Sequence, residues 1–404
     1  LRLQADVPVG CYLSGGIDSC SILGLSAALR QDPVKAFTIG FDNSEYDETS
    51  VATEMATKTE AEQLVLPVTA SDLYDNFSRT IWHAERTIYN TLAVAKLLMS
   101  QTVKENNYKV VLTGEGSDEL FAGYPAFRKD MFLYGTDDLP ATLRKEWQAS
   151  LEESNKLFRG AMLPREEFKS QALADKVGFT PNCLQTWLHC HDSAMSLLSH
   201  DWQKELVNYD AGAAIANTLD NSQLDGRHPL DKAQYVWIKT MLEGQILTWG
   251  GDRVDMANSM EARPAFLDHH LAKFDTHVPP QLRIKGPVEK YVLREAMKGL
   301  LPKSLYERQK FAFMAPPAHT DPVKWRYVRE LIEEVASEQS IKEAGYINNR
   351  AFQSLLTSHE DPSVSSDIKV QNDAVINHVI GLQLMHQHFI EQDVPALAKQ
   401  KAME

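Results

Sequence analysis

The tightest constraint on this chain lies at residues 10–19, Gly-Cys-Tyr-Leu-Ser-Gly-Gly-Ile-Asp-Ser. An apolar run of strand length over 7–13 leads into it, and 17–23 reads as the first turns of a helix. A strand that turns through glycines into a helix presents unpaired amides at the positive end of a dipole, which makes a phosphate site. Gly15 and Gly16 have no Cβ to hold a ligand off the backbone, and Ser14 and Ser19 add hydroxyl donors. Asp18 adds a carboxylate, which would repel a phosphate unless a cation stood between them, so it implies Mg2+. This is not a Walker loop, which is longer and ends in Lys-Ser or Lys-Thr. The bland alternative is an ordinary glycine turn between strand and helix.

The string Ser-Gly-Gly-Ile-Asp-Ser is similar to the pyrophosphate loop of the ATP-pyrophosphatase enzymes, which cleave ATP between its α and β phosphates to adenylate a substrate. Downstream, 35–41 reads as a second strand, 63–66 as a third and 108–113 as a fourth, of the buried parallel type. Helices are expected between them, to about Arg30, from Asp47 onward, over 71–83 and over about 91–105. Strands alternating with helices of this length predict an α/β fold built on a doubly wound parallel sheet, with its ligand crevice at the carboxyl ends of the strands. The loop at Ser14, the strand end at Ile39 and the turn after Thr113 should therefore converge. That turn is Gly114-Glu115-Gly116-Ser117-Asp118-Glu119. Its acids could simply complement a helix N-terminus. The sharper reading has Asp118 join Asp18 around the magnesium of ATP while Glu115 faces the reacting carboxyl group.

Together these stretches resemble the synthetase domain of glutamine-dependent asparagine synthetases. The match extends to Gly251-Asp252-Arg253 leading to Glu261-Ala262-Arg263, to Phe266-Leu267-Asp268, to Lys290-Tyr291-Val292-Leu293-Arg294 with Leu301-Pro302, and to Glu307-Arg308-Gln309-Lys310. The resemblance covers about two-thirds of the chain, and six ordered motifs are far more specific than one. It implies a sheet of the adenine nucleotide alpha hydrolase type, divided as a 1–124 core, a 125–229 helical insertion and a 230–404 helical remainder with C-terminal helices. It also implies ATP and Mg2+, with nucleotide contacts at Leu13, Ser14, Gly15, Gly16, Asp18, Ser19, Ile39, Thr113 and Gly114. Metal contacts would fall on Asp18 and Asp118, substrate contacts on Asp252 and Arg253, and catalytic roles on Glu115 and Lys310.

The activity so implied is adenylation of a carboxylate, by resemblance the side chain of aspartate, followed by transfer of ammonia to give asparagine and AMP. A relative joining another carboxylate, of a peptide or natural product, to an amine is the alternative. A silent ATP-binding or assembly subunit is the reading from another class. The β-lactam synthetases of this family carry tyrosine where this chain has Glu115, so Glu115 leans toward amide formation with ammonia or another amine. Arg263-Pro264-Ala265-Phe266 departs from the family's Arg-Val-Pro-Phe, and the glutaminase domain is absent, so free ammonia is expected to serve. The chain opens at Leu1 without an initiator Met and enters a core strand almost at once, so an N-terminal segment is expected to be missing.

Other signals bound the partners. A net charge of −14 argues against a general nucleic-acid surface. No window approaches the ~20 apolar residues of a membrane span. Cys11, Cys20, Cys183 and Cys190 form no C-x-x-C pair and read as free thiols in a reducing, cytoplasmic compartment. A homodimer is compatible with the family. His189 with His191 and His386 with His388 lie in helical patterns where alternate rings diverge, which disfavours metal binding. Asn76-Phe77-Ser78 matches a glycosylation sequon but falls inside an expected helix. Arg263 and Glu261 either pair with each other or touch substrate. A helix over 230–249 is expected to deliver Asp252, and two more over about 325–336 and 373–392 to pack on a core.

Overall fold

The computed structural model describes every residue except 44–45, 137–139, 158–166, 308–314 and 404, and only the backbone of 154–157, 307 and 400–403. Among the described residues, β1 (Val9–Tyr12), β2 (Lys35–Phe41), β3 (Glu62–Val68), β4 (Val110–Thr113) and β5 (Glu261–Pro264) form one parallel sheet. The strand order is β3-β2-β1-β4-β5. β1, β2 and β4 are nearly wholly buried, as expected for strands covered on both faces. β3 lies at one edge, which suits its Pro67 and its exposed Val65.

This order makes β1 a switch point. The chain runs from β1 outward through β2 and β3, then returns to add β4 on the other side of β1. Cys11 is in register with Leu112, so the turn after β1 and the turn after β4 leave the sheet side by side. A crevice opens where neighbouring connections depart in opposite directions. The two turns touch there: a Cβ on Gly114 would stand 2.9 Å from both Asp18 Cβ and Ser19 N.

By contact the chain divides into two compact units. The first contains 1–68, 96–189 and 210–314, and therefore the whole sheet. One apolar core in it joins Cys11, Leu13, Ile22 and Leu112 to Phe121, Phe266 and Leu293. A second gathers Phe127, Leu184, Leu230 and Trp237. Phe127, Leu184 and Leu219 of the 125–229 stretch share this core with Leu230 and Trp237 of the helix Pro229–Trp237, while 190–209 falls in the other unit.

The expected single helix over 230–249 is also corrected. Its α part ends at Trp237, and Ile238–Ile246 and Thr248–Asp252 are wound more widely. Leu247 N donates to Leu242 O and Asp252 N to Leu247 O, five residues back in each case. Gly244, Gly250 and Gly251 fall in this segment.

The second unit contains 69–95, 190–209 and 315–404. Its central element is the helix Ser366–His386, against which Phe77–Ala84, Pro322–Val335 and Asn349–Glu360 pack. That helix starts earlier than the sequence pattern predicted and is buried on more than one face, at Val375, Ile376, Val379, Ile380 and Leu384. The expected helix over 71–83 is broken at Asn76 into Ala70–Asp75 and Phe77–Ala84.

Because Gly114 packs against the backbone of the neighbouring turn, Gly114→Ala is expected to cost about 1–3 kcal/mol of stability by overpacking. A shift of the urea midpoint to lower concentration at unchanged slope measures it.

Candidate active site

The turn after β1 is built largely by its own atoms. Ser14 N donates to Ser19 Oγ at 3.1 Å, Ser19 Oγ donates to Gly16 O at 3.2 Å, and the two hydroxyls lie 3.1 Å apart. Gly15 takes φ +79°, and a Cβ on it would stand 2.9 Å from Glu48 O, so the fold itself requires this glycine. Gly16 is different: a Cβ there would meet nothing nearer than Ser14 Oγ at 3.5 Å. Gly16 is also the N-cap of the helix Ile17–Ala28, with no side chain capping the first turn. The start of that helix is therefore left to an external acceptor. Leu13 and Ile39 are buried, and Leu13 N donates to Phe37 O at 2.8 Å. Thr113 is buried at the end of β4, just before Gly114.

Asp18 and Asp118 do come together, and the group between them is a lysine. Lys290 Nζ lies 2.6 Å from both carboxylate oxygens of Asp18 and 2.7 Å from Asp118 Oδ1. Its side chain is wholly buried. Ser117 Oγ donates to Asp18 Oδ1 at 2.7 Å, so the second turn reaches the first through a hydroxyl as well. Lys290 sits at the N-cap of the helix Tyr291–Met297 with φ +53°, a left-handed conformation that costs a non-glycine residue and is kept only where the surroundings enforce it.

Sequence reasoning noted the Lys290 motif but gave the lysine no role. The available signal was the pair of carboxylates: two acids at one crevice require a cation, and a lysine can supply it. Among the described residues no group of three or more His, Cys, Asp or Glu is disposed to hold a metal. Two carboxylates with one ammonium still leave one negative charge, and hard oxygen donors of this kind suit Mg2+ shared with phosphate oxygens.

A second buried cluster lies around Glu115. Lys96 Nζ is 2.6 Å from Glu115 Oε1 and donates at 2.6 Å to Gly250 O, in the widely wound segment. Asp255 is buried beside them and accepts from Tyr12 OH at 3.0 Å. Burial works against the charges of Lys96 and Glu115, but each outweighs it for the other: Lys96 is raised and Glu115 lowered from their ordinary values. Asp255 is pushed up to about 7, chiefly by burial, with Lys96 and Tyr12 pulling the other way. Glu119, buried and accepting from Tyr124 OH and Trp237 Nε1, is likewise pushed up to about 7. Neither Lys96 nor Asp255 was singled out from sequence. Lys96 lies in an ordinary helix, Leu92–Glu105, and Asp255 three residues beyond the aspartate that was named.

Asp252 and Arg253 are exposed, next to this cluster in the chain. Glu261 and Arg263 pair with each other, Nε to Oε1 at 2.7 Å, and Arg263 Nη1 donates to the carbonyls of Arg2 and Gln4, a structural arrangement. Lys310 lies outside the described residues. All four cysteines are buried and free, as expected. No described helix is long and apolar enough to cross a membrane.

Two predictions follow from the charges. Lys290→Met strands two acids around an apolar side chain and is expected to cost about 3–5 kcal/mol in a urea titration at pH 7. Asp255 releases its proton near 3.8 when unfolded and only near 7 when folded. The folded chain thus holds the extra proton across that window and loses stability as pH rises through it. Asp255→Asn should make the unfolding free energy fall less between pH 5 and 8 than in the parent.

A family model described as asparagine synthase matches residues 1–387. Amidase chyE of Penicillium rubens is 30% identical over 393 residues, covering 87% of this chain and 55% of that protein. Amidase chry2 of Gibberella zeae is 29% identical over 405 residues, with the same coverage. The glutamine-hydrolyzing asparagine synthetase 1 of Bacillus subtilis is 27% identical over 365 residues, covering 89% of this chain and 54% of that protein. The chain spans about half the length of these curated relatives. With a match that takes in both glycine turns, the sheet and the Lys290 helix, the chain belongs to the asparagine synthase family.

Proposed function

We propose that this chain is an ATP-dependent, amide-forming synthetase domain that adenylates a carboxylate and then passes the acyl group to a nitrogen nucleophile. The observation that carries this reading is the meeting of Asp18 and Asp118 on Lys290 where the two glycine turns leave the sheet. The uncapped helix start at Gly16 and the hydroxyls of Ser14 and Ser19 receive the β and γ phosphates, with Asp18 and Asp118 as the residues that would hold Mg2+. Bound there, Mg2+ would draw charge from the phosphate oxygens. The adenine lies on the backbone near Leu13 and Ile39, with Thr113 and Gly114 bordering the ribose side.

In the first step a substrate carboxylate oxygen bonds to the α phosphorus and the bond to pyrophosphate breaks. Lys290 places a fixed ammonium where negative charge shifts toward the departing group, which is the electrostatic contribution that lowers such a barrier. Lys310, by resemblance, acts on the α phosphate. In the second step nitrogen attacks the acyl carbon, AMP departs with the bonding electrons, and the nitrogen gives up a proton. Glu115, held ionised by Lys96, suits orienting the incoming amine and offsetting its developing positive charge better than it suits accepting a proton. Holding the two reactants aligned supplies a large part of the rate.

By resemblance the carboxylate is the side chain of aspartate, the nitrogen source ammonia and the product asparagine. A second reading, a different carboxylate joined to an amine, draws support from the two relatives named amidases, which match at 30% and 29% identity, and from the departure at Pro264-Ala265. A silent subunit is disfavoured by the intact set of Asp18, Glu115 and Asp118.

Pyrophosphate exchange into ATP, screened over carboxylic acids, separates the three: exchange with aspartate supports the first, with other acids only the second, and with none the third. Asp18→Ala is expected to reduce exchange at least about 100-fold in a chain that circular dichroism shows to be folded, and also to lower the thermal unfolding midpoint, because Lys290 keeps only one of its two carboxylates.

A further inference from the structure

The second unit holds a side-chain constellation that the synthetase reaction does not use. The helix Ser366–His386 carries Ser366 at its first residue and Asp373 seven positions on, two turns further along the same face. His319, from the short turn Ala318–Thr320, lies across that face. Its Nδ1 is 2.7 Å from Asp373 Oδ2 and its Nε2 2.9 Å from Ser366 Oγ. The His319 backbone N also donates to Asp373 Oδ2, at 3.3 Å, which fixes the ring against the carboxylate. His319 and Asp373 side chains are 7% and 9% exposed, whereas Ser366 is open to solvent.

This is hydroxyl, imidazole and carboxylate in hydrogen-bonded series. With Nδ1 donating to the Asp373 carboxylate, the Nε2 lone pair is left to accept from Ser366. Ser366 also stands at the positive end of a 21-residue helix whose N-cap, Ser365, makes no side-chain cap. Negative charge forming on or beside Ser366 Oγ is favoured at that place.

A second histidine reinforces the arrangement. His359 is 2% exposed, and neither of its ring nitrogens makes a hydrogen bond. Its Nε2 lies 3.4 Å from the other Asp373 oxygen, and Trp325 covers its ring at 4.3 Å between centroids. Such a ring costs stability where it stands, and its place against Asp373 keeps that carboxylate enclosed. A carboxylate needed only to pin the turn at Ala318–Thr320 would call for neither a second imidazole nor a serine at the outer nitrogen.

We propose that Ser366, His319 and Asp373 form a second active site, a serine-nucleophile acyl-transfer centre acting on carboxylic esters small enough to reach an exposed surface serine. Ser366 Oγ bonds to the ester carbonyl carbon as its proton passes to His319 Nε2. The carbon–oxygen bond to the alcohol then breaks, and the alcohol leaves with the proton from His319. Water, deprotonated by His319, attacks the acyl-serine, and the acid departs as Ser366 recovers its proton. Water is the only co-reactant. Asp373 acts through His319 and is a positioning residue.

The test uses the full chain and a fluorophosphonate probe, which bonds to an activated serine with loss of fluoride. One adduct per chain on the peptide containing Ser366 is expected, together with turnover of p-nitrophenyl acetate that Ser366→Ala abolishes. His319→Gln, checked for an unchanged thermal midpoint, should slow labelling about 100-fold or more, and Asp373→Asn should slow it while leaving Ser366 equally exposed. If His319→Gln fails to fold, Asp373→Asn carries the comparison. Absence of an adduct on Ser366 overturns the proposal. So does labelling of Ser366 at the parent's rate in the His319→Gln or Asp373→Asn chain, which would show an exposed hydroxyl without activation.

Discussion

The contact on which the sheet end depends is one buried ammonium held between two carboxylates from turns a hundred residues apart. Lys290 reaches Asp18 on the first helix and Asp118 on the short helix after β4, at 2.6 and 2.7 Å. Burying any of these charges alone would be costly, and burying them together offsets the loss only because the ammonium stands within 2.7 Å of both carboxylates. Ser117 meets one remaining need by donating to Asp18. The left-handed backbone at Lys290 belongs to the same account: the chain accepts strain at one residue to seat the ammonium between the acids. The group is also short of neutral by one charge.

The topology explains why this pairing can form. Placing β1 between β2 and β4 brings the first glycine turn beside the second, and the close approach of Gly114 to Asp18 and Ser19 is the atomic form of that rule. This part of the molecule was legible in the sequence. Continuous apolar runs identified β1, β2, β3 and β4, and the glycines at the ends of β1 and β4 marked where they turn. β5 was not legible as a strand. Glu-Ala-Arg-Pro is short and polar, and its proline is tolerable only at an edge, so the segment reads as a motif and becomes a strand through pairing with β4. The widely wound stretch after Trp237 was hidden for a related reason. Its apolar spacing is helical, and the five-residue hydrogen bonds that widen it leave no mark on hydrophobic periodicity.

The site shows the same limit. The acids that meet at Lys290 were singled out because they sit inside compact motifs. Lys96 and Lys290 were not given roles because each lies outside the glycine turns, one within a helix and one at the start of another, where one lysine looks like any other. What distinguishes them is enclosure, complete for Lys290 and partial for Lys96: a lysine drawn out of water must have an acid to meet, and the acids of the second glycine turn were already in hand. The environment of Glu115 bears on which role it suits. A carboxylate paired at 2.6 Å with a lysine, and lowered from its ordinary value, is a poor proton acceptor.

The histidines carry the argument one step further. Two pairs at alternate positions, His189 with His191 and His386 with His388, attract notice in the sequence because proximity along the chain is easy to see. Their rings have separate neighbours: His191 lies against Tyr209, His386 beside Glu391 and His388 against Ser78. His319 and His359, by contrast, are single residues in segments with no motif, both brought to Asp373 by the packing of Asn349–Glu360 and the turn at Ala318–Thr320 on one helix. Motifs report chemistry that one loop can assemble from neighbouring residues. Chemistry that needs an acid, a base and a hydroxyl from separate elements leaves almost no trace until the fold brings them within hydrogen-bond reach. For that reason the Ser366 site has to be judged by reactivity at one oxygen atom, and similarity along the chain carries no information about it.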